Sequence, residues 1–157
     1  AAAAARGGVQ AYLAPLTGSC FYRVEGWWTY EFCYGKAVRQ FHAENNVQTS
    51  EFVLGAHSEV AAAAPDVIET DETSKEGGSY YVQHYTDGTK CDVTGEPRQV
   101  EVRFLCAGDS LNLLASIKEK STCKYVANFY TPTICNHPSF QVASDPARAI
   151  ECFPVMQ

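Results

Sequence analysis

Five polar side chains stand where a purely structural chain has no evident need of them. Gln40 lies inside a strand-like run, Asp92 directly follows a cysteine, Arg98 follows the turn proline Pro97, and Glu119 and Tyr125 flank Cys123. An amide, two carboxylates, a guanidinium and a phenol together supply both donors and acceptors. That mix suits a sugar, whose neighbouring hydroxyls each donate and accept. An arginine and a carboxylate can clamp adjacent hydroxyls with charge-assisted hydrogen bonds. The adjacent Trp27 and Trp28 offer flat apolar faces for the C–H side of such a ring. Each polar residue also reads as a surface group or a salt-bridge partner, and sequence does not reveal whether the five converge. A second chemistry is a glycosidase carboxyl pair, Asp92 and Glu119. Arg98 nearby would oppose the protonated carboxyl such an enzyme needs. No nucleotide fingerprint, nucleophile elbow or His-Glu-x-x-His motif occurs.

The elements that must hold these residues read as strands. From Trp27 to Gly35 the chain alternates, with Trp28, Tyr30, Phe32 and Tyr34 on one face and Trp27, Thr29, Glu31 and Cys33 on the other. The first face is expected in the core, and a regular strand would send the two tryptophans to opposite sides. Gly35-Lys36 turns the chain into a second strand, Ala37 to His42, and Glu51 to Gly55 is a third. Ser79 to Tyr85 is a tyrosine-rich strand followed by the hairpin signal Asp87-Gly88. Val100, Val102 and Phe104 alternate with Gln99, Glu101 and Arg103, the pattern of a half-buried antiparallel strand. Leu111 to Lys118 is apolar, and its setting among strands favours β; Thr122 to Thr131 is a further β run.

Several short strands with turn signals predict an all-β, disulfide-stapled flattened β-barrel or β-sandwich. Residues 1–16 are expected to be a low-complexity leader, disordered over its alanine-rich start, residues 17–138 the domain, and 139–157 a C-terminal tail. An acidic insertion at 56–78, containing four alanines at 61–64, is expected to be mainly a solvated surface loop, with room for one helical turn.

The net charge of −6 argues against nucleic acid as the main partner, and no apolar stretch approaches the ~18–20 residues that span a bilayer. Seven cysteines, none spaced Cys-x-x-Cys, do not combine with the four histidines into a zinc pattern, apart from a lone Cys135-Asn136-His137. No metal or other cofactor is expected. Widely spaced cysteines read instead as disulfides in a secretory or endoplasmic reticulum (ER) lumenal setting. Spacing alone leaves their pairing open, with Cys152 as the candidate odd thiol.

From Cys20 to His137 the chain resembles the mannose 6-phosphate receptor homology (MRH) domain, in particular its branch of ER quality-control lectins. The matching segments are Gly-Trp-Trp-Thr-Tyr-Glu-Phe-Cys-Tyr-Gly at 26–35, Gln-Phe-His at 40–42, Lys-Cys-Asp at 90–92, Gly-Glu-Pro-Arg at 95–98 and Glu-Val-Arg-Phe-Leu-Cys at 101–106. Cys123-Lys124-Tyr125 and Thr131-Pro132-Thr133-Ile134-Cys135 complete them. The resemblance implies that Gln40, Arg98, Glu119 and Tyr125 bind the hydroxyls of a terminal mannose and that Asp92 touches the glycan. Trp27 and Trp28 would form a platform favouring an α1,6-linked mannose, which requires irregular backbone at that point. It further implies the pairs Cys20–Cys33, Cys91–Cys123 and Cys106–Cys135. By the same resemblance the protein is not an enzyme. It would bind trimmed high-mannose N-glycans on misfolded glycoproteins in the ER lumen and pass them to a membrane ubiquitin-ligase complex through its Sel/Hrd-type adaptor. The C-terminal Val155-Met156-Gln157 is not a KDEL-type signal, so retention would rest on that partner. A sister lectin of the same fold, such as a glucosidase II β-like subunit, is the alternative that the double tryptophan argues against.

Overall fold

The computed structural model describes residues 2–62, 66–70, 78–108 and 111–140. Cys152, most of the expected tail, and Ala63 to Pro65 and 71–77 of the acidic insertion lie outside the described residues. Nine strands form two sheets among the described residues. The first is an antiparallel meander of β1 (Cys20–Glu25), β2 (Trp28–Cys33), β3 (Ala37–Glu44) and β4 (Val47–Ala56). Asn45 and Asn46, both at positive φ, close the tight β3–β4 turn. The second sheet comprises β5 (Val67–Thr70), β6 (Ser79–Tyr85), β7 (Gln99–Cys106), β8 (Leu113–Ser121) and β9 (Lys124–Thr131), in the order β5-β6-β7-β9-β8. β7 and β9 run parallel, and every other pairing is antiparallel. The sheets face each other as a flattened sandwich.

Phe32 is the hub between them. It is fully buried, and its ring meets those of Phe21, Tyr85, Phe104 and Phe129 at 5.2–6.4 Å. Val100, Val102 and Phe104 enter the core from β7 as their alternation requires. Truncating Phe32 to alanine would cost about 3–5 kcal/mol. The three disulfides are Cys20–Cys33, Cys91–Cys123 and Cys106–Cys135. Cys20 and Cys33 are direct partners in the β1–β2 ladder, so that bridge ties neighbouring strands.

Three expectations need correction. The leader is ordered as α1 (Ala2–Leu13), followed by a 3₁₀ turn at Ala14–Leu16. Alanine is the best helix former, and the non-helical backbone of Gly8 divides α1 into two helical pieces across a kink. Gly8 takes φ +60, and a Cβ there would strike the Asp66 carboxylate. That carboxylate accepts the Val9 N–H at 2.9 Å. Val9, Leu13 and Leu16 then fall on one face and are buried in the core.

The acidic insertion, too, is more than a loop. The one helical turn allowed for forms as α2 (Glu59–Ala62); what the loop reading lacked is β5, which pairs with β6 through Val67↔Val82 to Thr70↔Ser79. Glu69 accepts a hydrogen bond from the Tyr80 hydroxyl at 2.7 Å. Finally, Asp87-Gly88 does not close a two-residue hairpin. Asp87 adopts φ +55 and opens a long loop, residues 86–98, before β7 begins.

Candidate functional site

That loop carries Cys91, Asp92 and Arg98, and β4 holds it. Thr89 donates its N–H to the Val53 carbonyl at 2.7 Å, and its hydroxyl accepts the Val53 N–H at 2.9 Å. Gly88 lies so close to the Val53 and Leu54 backbone that a Cβ would collide with it. The Gly88 N–H reaches back to the Arg98 carbonyl at 2.9 Å. This lacing sets the Arg98 guanidinium 4.5 Å above the ring of Phe52, a β4 residue, where the cation meets the electron-rich face.

Arg98 is 8% exposed, yet it faces no carboxylate in any ion pair among the described residues. Its Nη1 donates to the carbonyls of Thr89 (3.1 Å) and Lys90 (2.7 Å). Its Nε is enclosed without any partner, the one such buried side-chain atom among the described residues. A charged donor left in that state costs upward of ~1–3 kcal/mol unless something accepts from it.

Gln40, on β3, sits opposite Phe52 on one side and Tyr30 on the other. Its Nε2 donates to the Tyr30 hydroxyl at 3.1 Å. Burial pushes the Tyr30 phenol above its ordinary value of 10.0; the bond from Gln40 lowers it, and the charges of Glu25, Tyr125 and Glu119 raise it. The remaining two hydroxyl-binding candidates lie on the opposite sheet. There Glu119 and Tyr125 are direct partners across the β8–β9 ladder. Tyr125 is 8% exposed, and a Glu119 oxygen accepts the Cys123 N–H at 2.7 Å. Cys123 takes φ +61, an uncommon conformation for a side-chain-bearing residue, and its disulfide to Cys91 ties this turn to the Arg98 loop. Asp92 is exposed beside that bridge.

The tryptophans do not follow the strand pattern. Gly26 at φ +59 makes a turn, Trp27 belongs to that turn, and β2 starts only at Trp28. With the pleat broken, the two indoles meet edge to face at 4.8 Å. Trp28 continues onto Phe52 at 5.8 Å, while Trp27 remains half exposed and stacks on His42 at 3.5 Å. An aromatic strip thus leads from Trp27 through Trp28 and Phe52 to Arg98.

Of the residues singled out from sequence, Arg98 and Gln40 converge about Phe52, Gln40 also bonds Tyr30, and Glu119 and Tyr125 stand paired on the other sheet. Trp27 and Trp28 form the strip, and Asp92 stands exposed beside the Cys91–Cys123 bridge. Phe52, Tyr30 and His42 were not identified as site residues. A glutamine within a strand-like run was the only signal near the first two; Gln-Phe-His carried the third. The close set of metal-type ligands found among the described residues, Cys20, Glu31 and Cys33, has both sulfurs consumed by a disulfide. The chemistry on offer suits a polyhydroxyl ring: one orphaned cationic donor, Arg98 Nε, lies beside an aromatic strip.

Comparison with known proteins agrees. Residues 18–91 match the family model described as glucosidase II beta subunit-like protein. An OS-9 homolog of Arabidopsis thaliana is 45% identical over 141 residues, covering 89% of this chain and 50% of that protein. Human OS-9 is 36% identical over 157 residues, covering 96% of this chain and 23% of its own length. The chain thus spans half or less of these relatives. Among solved structures, the MRH domain of Yos9 complexed with α3,α6-Man5 superimposes with a TM-score of 0.68 at 25% identity, covering 90% of this chain and 91% of that one. In sequence and fold together the chain resembles the mannose 6-phosphate receptor homology domains and is similar to OS-9 proteins.

Proposed function

We propose that this chain is a lectin domain for high-mannose N-glycans trimmed to expose a terminal α1,6-linked mannose. The observation that carries this reading is Arg98: a buried guanidinium with no carboxylate, an orphaned Nε and an aromatic floor. A vicinal diol supplies the missing acceptors. Arg98 and Glu119 clamp adjacent hydroxyls, while Gln40 and Tyr125 bond the others. Asp92 contacts the glycan from the loop rim, and Trp27 and Trp28 receive the next sugar on the arm. Binding is reversible and leaves the glycan intact. The Yos9 domain is complexed with a five-mannose glycan, and transfer of that ligand class to this chain rests on the shared fold and on this chain's own cluster.

The wider role follows the OS-9 relatives. The protein recognises misfolded glycoproteins in the ER lumen and delivers them to a membrane ubiquitin-ligase complex through its Sel/Hrd-type adaptor. In this reading residues 17–138 are the lectin unit and α1 is its N-terminal buttress.

A glycan array with the oxidised chain tests the reading. It should retain high-mannose glycans bearing an exposed α1,6-linked mannose and ignore capped and phosphorylated ones. A folded, fully bridged sample that binds none of them overturns the proposal. Release of free sugar during incubation would instead favour the Asp92/Glu119 glycosidase.

A further inference from the structure

His42 lies outside the sugar-binding set, yet it makes three contacts at the end of the aromatic strip. Its ring stacks on Trp27 at 3.5 Å and 11°. Its Nδ1 is 2.6 Å from the Trp27 carbonyl oxygen. Its Nε2 is 3.0 Å from a Glu44 carboxylate oxygen. A carbonyl only accepts, and so does an ionised carboxylate, so both ring nitrogens meet acceptors. The imidazolium alone, with two N–H groups, satisfies both. It also stacks more favourably on an indole than the neutral ring does, because a cation is drawn to the negative face.

We propose that protonated His42 is a positioning residue for the tryptophan platform, clamping Trp27 by ring and by backbone so that glycan recognition at the platform is tuned by pH. The proposal rests on the lectin reading above and deepens it. Trp27 is half exposed and begins after a glycine turn. Its indole has few other restraints, and a mobile platform loses affinity to ordering entropy. His42 covers one face of the indole, so a sugar meets Trp27 only by its other face or its edge.

The surroundings favour the charged form. The hydrogen bond to Glu44 is the largest cause raising the His42 value above 6.5, with desolvation opposing and the bond to the Trp27 carbonyl adding to the rise. Other nearby charges are engaged elsewhere. On the Trp27 turn, Glu25 pairs with Arg23 at 2.6 Å. On β4, Ser50 lies opposite His42, the Thr49 hydroxyl donates to the His42 carbonyl, and Glu51 is held by Arg39 and Gln48. The sign follows directly. A raised value means the clamp is complete at low pH and weakens as pH rises through it: the neutral ring keeps the Trp27 carbonyl by its Nδ1 tautomer but gives up Glu44 and the cationic share of the stack.

The test uses the two tryptophans themselves, the only ones in the chain, whose edge-to-face contact gives an exciton couplet in circular dichroism. The couplet and the affinity for an α1,6-terminated glycan are followed from about pH 5.5 to 8.5, the range in which histidine titrates. For the parent chain both should fall with rising pH, affinity by about threefold, the worth of an exposed cation–aromatic contact. His42→Phe keeps a ring on Trp27 but should flatten both profiles at the weaker level. Glu44→Gln should move both midpoints towards lower pH. Couplets and affinities in His42→Phe that track the parent at every pH overturn the proposal. If no variant binds glycan at any pH while the couplet still titrates and responds to His42→Phe, the clamp stands and the lectin reading falls.

Discussion

Two arginines of this molecule sit over phenylalanine rings and have opposite fates. Arg39, on β3, lies 4.9 Å from the centroid of Phe41 and is saturated: Glu31 at 2.6 Å, Glu51 at 2.7 Å and Gln48 within reach, with Glu31 also held by the Tyr22 hydroxyl. Arg98 lies 4.5 Å from the centroid of Phe52, more deeply buried, with two backbone carbonyls and an empty Nε. The first has every acceptor it needs within the fold. The second has been stripped of water and given less than it can use. A buried charge without its counter-charge is unfavourable for stability. Its persistence in a loop laced to β4 and tied by a disulfide points to a ligand that completes it. The difference separates a structural cation from a binding one more cleanly than burial or charge does.

Substituting each arginine by methionine tests the contrast, because methionine keeps most of the volume over the ring. Arg98→Met should cost glycan affinity at least ~100-fold, since charge-assisted hydrogen bonds are worth about 1.5–3 kcal/mol each. Its unfolding free energy should move by less than ~1 kcal/mol, because an unsatisfied donor leaves with the charge. Titration calorimetry and urea unfolding on one sample read both. A variant that loses stability as well as binding would make Arg98 structural and erase the distinction. Arg39→Met should do the reverse: about 1–2 kcal/mol less stable, having left Glu31 half enclosed without its cation, with glycan affinity unchanged. A smaller effect sharpens the site itself. Tyr125→Phe should weaken glycan binding about fivefold, the worth of one net hydrogen bond near 1 kcal/mol, and leave unfolding almost untouched.

The sequence foretold these regions unevenly. Strands with one wet face announce themselves, so Val100, Val102 and Phe104 were legible as core from alternation alone. The candidate hydroxyl binders were legible only as unusual polar residues; their convergence depends on contacts between sheets, and nothing local encodes those. The cysteine pairs came with the family resemblance, since spacing permits many pairings. Phe52 stayed hidden because one aromatic in a strand carries no periodic mark, although it is the floor beneath Arg98. The parallel β7–β9 pairing was equally invisible, since strand patterns do not state direction. The buried face of α1 was missed because three apolar residues after an alanine run look incidental. Its fixing carboxylate, Asp66, lies 57 residues away. The tryptophan pair is the instructive case. Alternation argued for opposite faces, and a single glycine at positive φ reversed the outcome.

The smallest expected effect concerns acid. Arg39 holds the Glu31 carboxyl below its ordinary 4.5, with the Tyr22 hydroxyl helping and burial opposing; Glu51 is lowered by Arg39 first and by Gln48 next. A carboxyl lowered in the folded state stabilises it fully above the unfolded value. That stabilisation is lost as pH falls through the lowered value. Both groups are partly in contact with solvent, so the effect is modest and shrinks with salt. The parent chain should therefore lose stability between about pH 5 and about pH 3. Arg39→Met, whose carboxylates have no cation to lose, should lose less over the same interval, so that the two curves converge at the acid end. Arg98→Met should run parallel to the parent throughout, because Arg98 makes no ion pair among the described residues. Urea unfolding of the three proteins at about pH 6, 4.5 and 3.5 compares the slopes. If Arg98→Met instead converged on the parent in acid, Arg98 would be paired to a carboxylate in solution, and the two arginines would be alike after all.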